Sequence, residues 1–229
     1  GGKQARPDSG YSTAIHSPKG SFIGHVSTGS RKDIRNAVEA MNAAKGWSKS
    51  TGHLRAQILY YIAENLSARA DEFANRISDL TGKSGKIEVQ SSIKALFTYA
   101  AWADKYDGRV HSTQGAHVTL AMKEPFGVMG VICPEEAPLL GFVSTVLPAI
   151  AMGNRVVVVP SEATGLLACD LYQVLDTSDL PGGVINIVTG DRVALTDTLA
   201  RHYDIEGLWY WGTAEGSTLI ETEAAATMK

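Results

Sequence analysis

Residues 127–162 have the sequence GVMGVICPEEAPLLGFVSTVLPAIAMGNRVVVVPSE, and this stretch decides the fold. Its first part, 128–133, is a short apolar run that favours a buried strand. The apolar segment 138–152 is long enough for a helix, and Gly153-Asn154 ends it because both residues tolerate the left-handed conformation. The four valines of 156–159 then favour a central parallel strand that is buried on both faces.

This order of strand, helix and strand predicts one βαβ unit with a right-handed crossover. In a sheet built from such units, ligands bind beyond the carboxyl ends of the strands. In this chain those ends are 133–136, Cys-Pro-Glu-Glu, and 159–162, Val-Pro-Ser-Glu. The sequence therefore predicts that a functional site lies at these two segments.

The patterns on either side of this unit predict the rest of an α/β fold. Before the unit we expect short strands at 11–15 and 22–26, helices at 30–44, 52–80 and 86–106, and a hairpin at about 109–123. After the unit we expect helices at 165–175, 193–202 and 212–227, which alternate with strands at 184–188 and 205–211. Such alternation is typical of a doubly wound, mostly parallel sheet.

These patterns predict two further features, one of the core and one of the surface. The aromatic residues Phe97, Tyr99 and Trp102 lie in an amphipathic helix, and we expect them in the core because such helices bury their aromatic side chains. The hairpin at about 109–123 projects from the domain and has open edges. Edges of this kind are usually covered or paired with another chain.

Composition excludes several classes of protein. The chain has 229 residues and a net charge of −3, so no basic field indicates binding to nucleic acid. Two cysteines cannot form a disulfide framework, and they suit a reducing compartment. The first residues lack the apolar core of a signal peptide, and no run approaches the about 18 apolar residues of a membrane span. We therefore expect a cytoplasmic protein without a membrane partner.

The sequence gives little support to a catalytic pair of carboxylates, a catalytic cysteine or a metal site. Glu135 and Glu136 are adjacent and point in different directions, so a solvated turn is favoured over an acid–base pair. Cys133 has no neighbouring histidine in sequence and is predicted to be a buried apolar residue. Cys169 lies on an apolar helix face, and we expect it in the core. The six histidines lack metal-ligand spacing, so no metal site is predicted.

The order of four motifs resembles that of the aldehyde dehydrogenase superfamily. The motif Pro-Trp-Asn-x-Pro-Leu is similar to residues 134–139 in EPFGVMGVICPEEAPLL, and Ala-x-Gly-Asn-x-Val-Val-x-Lys-Pro-Ser-Glu is similar to AMGNRVVVVPSE at 151–162. LPGGVINIVTGD at 180–191 and YWGTAEGS at 210–217 resemble two further motifs. Their degenerate form is most similar to the second, shortened domain of family 16 aldehyde dehydrogenases.

This resemblance implies a division of the chain into two regions. Residues 1–126 would form an N-terminal helical region whose hairpin, at about 109–123, serves oligomerisation. Residues 127–229 would form a Rossmann-like domain of the cofactor-binding type. The family's catalytic domain would lie outside this chain, together with its catalytic Cys and general-base Glu.

The resemblance also implies which site residues are lost. Glu136 stands where the family has the Asn of its oxyanion hole, and a carboxylate there would repel the developing negative charge. Val159 replaces a Lys that reaches the nucleotide ribose. Arg192 and Thr196 replace glycines that let the backbone approach the adenosine, so their side chains would narrow that approach.

The cofactor contacts that remain are Glu162, Gly212 and Thr213, and we expect no catalytic residue in this chain. The substitutions predict that no cofactor is bound, with NAD binding at these three residues as the alternative.

The hypothesis that follows is a non-catalytic aldehyde-dehydrogenase-like domain, a pseudoenzyme that assembles with another such domain through the 109–123 hairpin. Two alternatives stay open. One is a fragment of an NAD-dependent aldehyde dehydrogenase whose catalytic residues lie outside the chain. The other is a vestigial nucleotide-binding regulator.

Overall fold

The computed structural model describes residues 4–227. The strands are β1 Ser12–His16, β2 Phe22–Ser27, β3 Arg109–His111, β4 Thr119–Ala121, β5 Val128–Ile132, β6 Arg155–Val159, β7 Ile185–Ile187 and β8 Gly207–Tyr210. The helices are α1 Arg31–Ala43, α2 Gly52–Ala68, α3 Ala70–Thr81, α4 Lys86–Trp102, α5 Pro138–Ala151, α6 Gly165–Asp176, α7 Arg192–Arg201 and α8 Ala214–Ala224. Short 3₁₀ turns lie at Trp47–Lys49 and Ala225–Thr227.

A parallel sheet with the strand order β7-β6-β5-β8 forms the centre of the described residues. Strands β5 and β6 are buried along their whole length, as their continuous apolar sequences predict. From β5 the chain moves outward through β6 to β7, and it then returns to place β8 on the other side of β5. The order of strands therefore reverses between β5 and β8, and the predicted doubly wound α/β fold is confirmed.

Helices cover both faces of this sheet. On one face α5 lies between the sheet and the helices α2 and α4, and its Phe142 belongs to a core that includes Leu59 and Leu96. On the other face α1 and α7 pack against the strands, and Ile34 and Leu199 join Val157 in a second core. Each face of the sheet thus has its own apolar core.

The N-terminus of α5 is held by a side chain from another helix. The carboxylate of Glu88 on α4 accepts hydrogen bonds from the amides of Leu139 and Leu140, at 2.7 and 3.2 Å. These are two of the amides that a helix leaves without an internal partner at its start. Glu88 therefore fixes the loop that connects β5 to α5.

The predicted helix at 52–80 is in fact two helices, α2 and α3, which meet at Arg69. Arg69 has φ −107° and ψ 17°, and its side chain binds Glu72 on α3 and Gln173 on α6. The sequence pattern does not reveal the break because Leu66 and Phe73, on either side of it, both face the same core.

The expectation that the aromatic residues of α4 are core is wrong for two of the three. The buried face of α4 consists of Val89, Ser92, Leu96 and Ala100. Phe97 and Trp102 lie outside this face and are 38% and 57% exposed, whereas Tyr99 is half-buried and packs against the core. Small and aliphatic residues line the helix where α4 contacts α2 and α5.

The hairpin predicted at 109–123 consists of β3 and β4, whose residues are all exposed. Its apolar side chains Val110, Val118, Leu120 and Met122 face outward.

Within residues 4–227, none of the helices combines the length and the apolarity that crossing a bilayer requires.

We predict that Leu96→Ala lowers the free energy of unfolding by about 2–5 kcal/mol, because truncation leaves a cavity in the core between α4 and α5. The matched control is Ile87→Ala on the same helix, where the side chain is 81% exposed. This control should change stability by no more than about 0.5 kcal/mol. Urea denaturation followed by circular dichroism measures both values, and equal effects of the two substitutions would contradict the packing.

Candidate functional site

The segments that follow β5, β6 and β8 meet at one edge of the sheet, as the sequence predicts for the first two. The amide of Cys133 donates to the carbonyl of Val159 at 3.0 Å, and the amide of Trp211 donates to the carbonyl of Ile132 at 3.1 Å. These bonds continue the pairing of the three strands past their ends. The chain segments at the reversal point are therefore held close together.

Arg192 is the residue that crosses this edge. It is the first residue of α7, whose N-cap Asp191 accepts a hydrogen bond from the amide of Ala194 at 2.8 Å. One guanidinium nitrogen, Nη1, donates to the carbonyl of Cys133 at 2.5 Å, and Nη2 donates to the carbonyl of Trp211. The Arg192 side chain is only 12% exposed. It therefore bridges the ends of β5 and β8 at the point where the order of strands reverses.

Glu135 completes this bridge. Its carboxylate accepts a hydrogen bond from Arg192 Nη1 at 3.0 Å, and another from the hydroxyl of Ser161 at 2.6 Å. The amide of Glu162 approaches the same carboxylate at 3.4 Å. Glu135 thus links the ends of β5 and β6 to α7. It lies in an exposed bend, as the interpretation of a solvated turn predicts, and its side chain is 45% exposed, but it is also paired with Arg192. Glu136, its neighbour, is exposed to solvent.

The difference between these two glutamates could not be found from the local sequence. Glu135 and Arg192 are 57 positions apart in the chain. The only signal was that Arg192 replaces a glycine of the resembled motif, which showed that a long side chain had entered the site without showing what it bound.

Glu162, the first predicted cofactor contact, lies exposed at the end of β6, and its carboxylate accepts a hydrogen bond from the amide of Arg192 at 3.3 Å. It borders a shallow groove, with a cavity volume of about 20 Å³, between this edge and the hairpin of β1 and β2. The groove also contacts Thr13, Ser161 and Gly190. Carboxylate oxygens accept hydrogen bonds, so Glu162 is able to bind a hydroxyl-bearing ligand in this groove.

Gly212 and Thr213, the other predicted contacts, lie at the start of α8. Thr213 is the N-cap, and its hydroxyl accepts a hydrogen bond from the amide of Gly216 at 3.1 Å. The hydroxyl of Tyr210 accepts from the amide of Thr213 at 3.0 Å. A Cβ atom at Gly212 or Gly216 would collide with the Tyr210 ring, so both glycines make room for this aromatic side chain.

Glu215 brings a negative charge to the same helix end. Hydrogen bonds from its own amide and from the Thr213 hydroxyl hold the pKa of the Glu215 carboxyl below its ordinary value. A helix N-terminus stabilises anions through its free amides and its dipole. The start of α8 thus has the chemistry of an anion site, and in the structure its own carboxylate interacts there.

The two remaining substituted positions are buried. Val159 packs in the core between the sheet and α1, with its side chain away from solvent. Thr196 on α7 is also buried, and its hydroxyl finds no hydrogen-bond partner in the described part of the chain. Neither side chain reaches the exposed edge of the sheet.

Cys133 is buried at the end of β5, in agreement with its interpretation as an apolar residue. Burial raises the pKa of its thiol to about 12, and Thr145 lies 3.5 Å from the sulfur. A thiol in this state is a poor nucleophile.

Cys169 is only half-buried, so the expectation that it belongs to the core is wrong. Among residues 4–227, no three or more His, Cys, Asp or Glu side chains are grouped to hold a metal ion.

The fold and this edge define the chain as a doubly wound α/β protein whose site lies where the strand order reverses. The sequence profile described as "Aldehyde dehydrogenase family" matches residues 6–229. The chain belongs to the aldehyde dehydrogenase family.

Relatives with this activity in their names cover almost all of the chain. It is 34% identical to mitochondrial benzaldehyde dehydrogenase of Antirrhinum majus over 92% of its length, and 32% identical to cytosolic aldehyde dehydrogenase 1 of Mus musculus over 88%. These matches cover 41% and 42% of the two relatives, so the chain spans less than half of their length. Because relatives are named as both mitochondrial and cytosolic, the cytoplasmic location stays a prediction.

Solved structures agree with this family assignment and with the partial coverage. The NAD-dependent aldehyde dehydrogenase of Sinorhizobium meliloti superposes with a TM-score of 0.95 at 29% identity, which covers 100% of this chain and 47% of that one. PnpE in complex with nicotinamide adenine dinucleotide also has a TM-score of 0.95, at 25% identity, and covers 99% of this chain and 48% of that one.

These findings correct the expectation that the chain is a pseudoenzyme. The named relatives are enzymes, and they extend over more than twice the length that this chain matches. Because the chain matches less than half of these relatives, a missing catalytic Cys or Glu within its 229 residues is no argument against activity.

The site fits a dinucleotide in part. Glu162 can bind ribose hydroxyls, and the start of α8 can bind a phosphate. Between them, the Arg192 side chain lies across the reversal point, where a ligand of this kind enters a doubly wound sheet. The arrangement thus offers contacts at both sides of the edge and an obstruction between them.

We predict that iodoacetamide does not modify Cys133 in the folded protein. With a pKa of about 12, about one Cys133 thiol in ten thousand is ionised near pH 8, and burial also blocks the reagent. Cys169→Ser removes the other thiol so that mass spectrometry reports on Cys133 alone. Labelling should proceed only after unfolding in guanidinium chloride, and rapid labelling of the folded variant would contradict the buried environment.

Proposed function

We propose that this chain forms the nucleotide-binding half of an NAD(P)-dependent aldehyde dehydrogenase, in which the residues that oxidise the aldehyde lie outside the chain. The observation that carries the proposal is the reversal of strand order between β5 and β8, with Glu162 and the N-terminus of α8 at the same edge. Matches over nearly the whole chain to an NAD-dependent aldehyde dehydrogenase and to PnpE, which was solved in complex with nicotinamide adenine dinucleotide, support it.

The chemistry of the edge suits a dinucleotide at two places. The carboxylate of Glu162 is exposed and accepts hydrogen bonds, which is the requirement for holding the hydroxyls of a ribose. The α8 N-terminus offers backbone amides and the positive end of a helix dipole to a phosphate. A phosphate at this position would replace the local contacts of the Glu215 carboxylate, which already receives hydrogen bonds there.

A likeness to the second domain of family 16 aldehyde dehydrogenases is a finer part of this proposal. It is supported by Glu136 and Val159 at positions where the resembled motifs have Asn and Lys. The exposed side chain of Glu136 and the buried side chain of Val159 both depart from the chemistry of those motifs.

We further propose that the β3–β4 hairpin pairs with another aldehyde-dehydrogenase-like domain, a second copy of this chain in the simplest case. The hairpin presents a row of outward-facing apolar side chains, among which Leu120 is 57% exposed. Its two strands also leave open edges that can extend a sheet across an interface. Apolar surface of this kind on a projecting element is a usual mark of an interaction site.

The nucleotide-binding proposal predicts saturable quenching of tryptophan fluorescence when the chain is titrated with NADH, because Trp211 lies at the site. Thr213→Asp should weaken binding by about tenfold or more, since it places a negative charge beside the expected phosphate. Asp is as good an N-cap as Thr, so α8 should stay folded.

The matched control is Thr222→Asp, which adds the same charge at an exposed position further along α8. This variant should bind NADH as the unmodified chain does. Titrations that stay flat to millimolar NADH, both in the unmodified chain and in Arg192→Ala, which removes the side chain that lies across the edge, would contradict the proposed function.

The pairing proposal predicts that Leu120→Asp shifts the chain towards the monomer in sedimentation equilibrium, because it places a charge within the apolar row of the hairpin. Ile87→Asp adds the same charge on α4, where the native side chain is also exposed, and should leave the oligomeric state unchanged. A chain that is monomeric at high concentration before any substitution would refute the pairing.

A further inference from the structure

The guanidinium of Arg192 holds together three strand ends that a ligand would have to pass. It binds the carbonyls of Cys133 and Trp211, which follow β5 and β8, and through Glu135 it is tied to Ser161 after β6. Its centre also lies 5.9 Å from the centre of the Tyr210 ring. Because it contacts both sides of the reversal point, the Arg192 side chain lies across the crevice between the ends of β5 and β8.

The space left at this edge is small. The groove beside Glu162 has a cavity volume of about 20 Å³, and another groove, between α5 and α6, has about 10 Å³. Pockets for small molecules usually measure about 300–1,000 Å³, and a dinucleotide needs the upper part of that range. Neither groove holds a dinucleotide, and the Arg192 contacts close the edge between the ends of β5 and β8.

We propose that Arg192 and Glu135 form a gate over the nucleotide crevice, which must open before a dinucleotide binds. This inference rests on the proposed function and adds regulation to that same site. The gate keeps most molecules closed, and the apparent affinity for nucleotide falls by the fraction of molecules that are open.

The contacts explain why the pair can act as a gate. The ion pair between Arg192 and Glu135 is a charge-assisted hydrogen bond, which is stronger than a neutral one, and Ser161 fixes the carboxylate in place. The other partners of the guanidinium are the backbone carbonyls of Cys133 and Trp211. Because they belong to the backbone, these two acceptors remain when neighbouring side chains are substituted. The gate is thus set by two side chains, and each can be altered without changing the core.

The direction in which replacing Arg192 changes nucleotide affinity distinguishes a gate from a residue that binds phosphate directly. Replacing Arg192 removes a positive charge from the path of an anionic molecule, so a direct phosphate contact would be lost and binding would weaken. A gate gives the opposite result, because removal of the side chain opens the crevice. A residue that only stabilises the fold would change the melting temperature and leave affinity per folded molecule unchanged.

The experiment compares NADH binding by the unmodified chain, Arg192→Ala and Arg201→Ala, followed by tryptophan fluorescence. Arg201 is the last residue of the same helix and lies away from the crevice, where it binds Asp197 and Glu223. Arg192→Ala should bind about tenfold more tightly or better, and Arg201→Ala should match the unmodified chain. Glu135→Gln should give a smaller gain in the same direction, because it weakens the ion pair and keeps the shape.

Amide hydrogen exchange gives a readout that needs no nucleotide. Exchange within 133–137 and 211–217 should accelerate in Arg192→Ala and stay unchanged in Arg201→Ala. Unchanged exchange in Arg192→Ala would overturn the gate, as would equal or weaker NADH binding by this variant while the unmodified chain binds. If no protein binds NADH, Arg192→Ala included, the proposed function and the gate fall together.

Discussion

Strand β5 is buried along its whole length and hydrogen-bonded to a parallel strand on each side, and the position of every candidate site residue depends on this pairing. A central parallel strand must be covered on both faces, which requires the crossover helices to lie above and below it. The loops that leave the strands are thereby forced to one edge. Glu135, Glu162 and Thr213, which are far apart in the chain, meet at that edge for this reason.

Polar side chains from distant segments satisfy the backbone at both edges of the sheet. At the amino edge, Asn154 accepts a hydrogen bond from the amide of Gly127 at 3.0 Å, and Glu206 accepts one from the amide of Val128 at 2.7 Å. At the carboxyl edge, Arg192 serves the carbonyls of Cys133 and Trp211. Buried backbone groups need such partners. The carboxyl edge differs because the group that satisfies it occupies the place where ligands of doubly wound proteins bind.

The family relationship and the local chemistry therefore carry different information. The match over residues 6–229 places the chain in the aldehyde dehydrogenase family, and the fold of the described residues agrees with it. The substituted side chains divide into two groups in the structure. Val159 and Thr196 are absorbed into the core, whereas Arg192 and Glu135 act at the edge itself. A sequence comparison treats all of them alike as departures from a motif.

Apolar periodicity and turn residues determined by themselves the main order of the elements, the parallel sheet, the buried Cys133 and the placement of the segments after β5 and β6, with Glu162, at one edge. The family resemblance, and not a local pattern, pointed to Thr213. Only the tertiary structure decided that α2 and α3 are separate helices, that Phe97 and Trp102 face solvent, and that Glu135 is paired. These outcomes depend on contacts between residues tens of positions apart, such as Arg69 with Gln173 and Glu135 with Arg192. A local pattern carries no record of a partner that arrives from another helix, and the packing of the whole chain selects it.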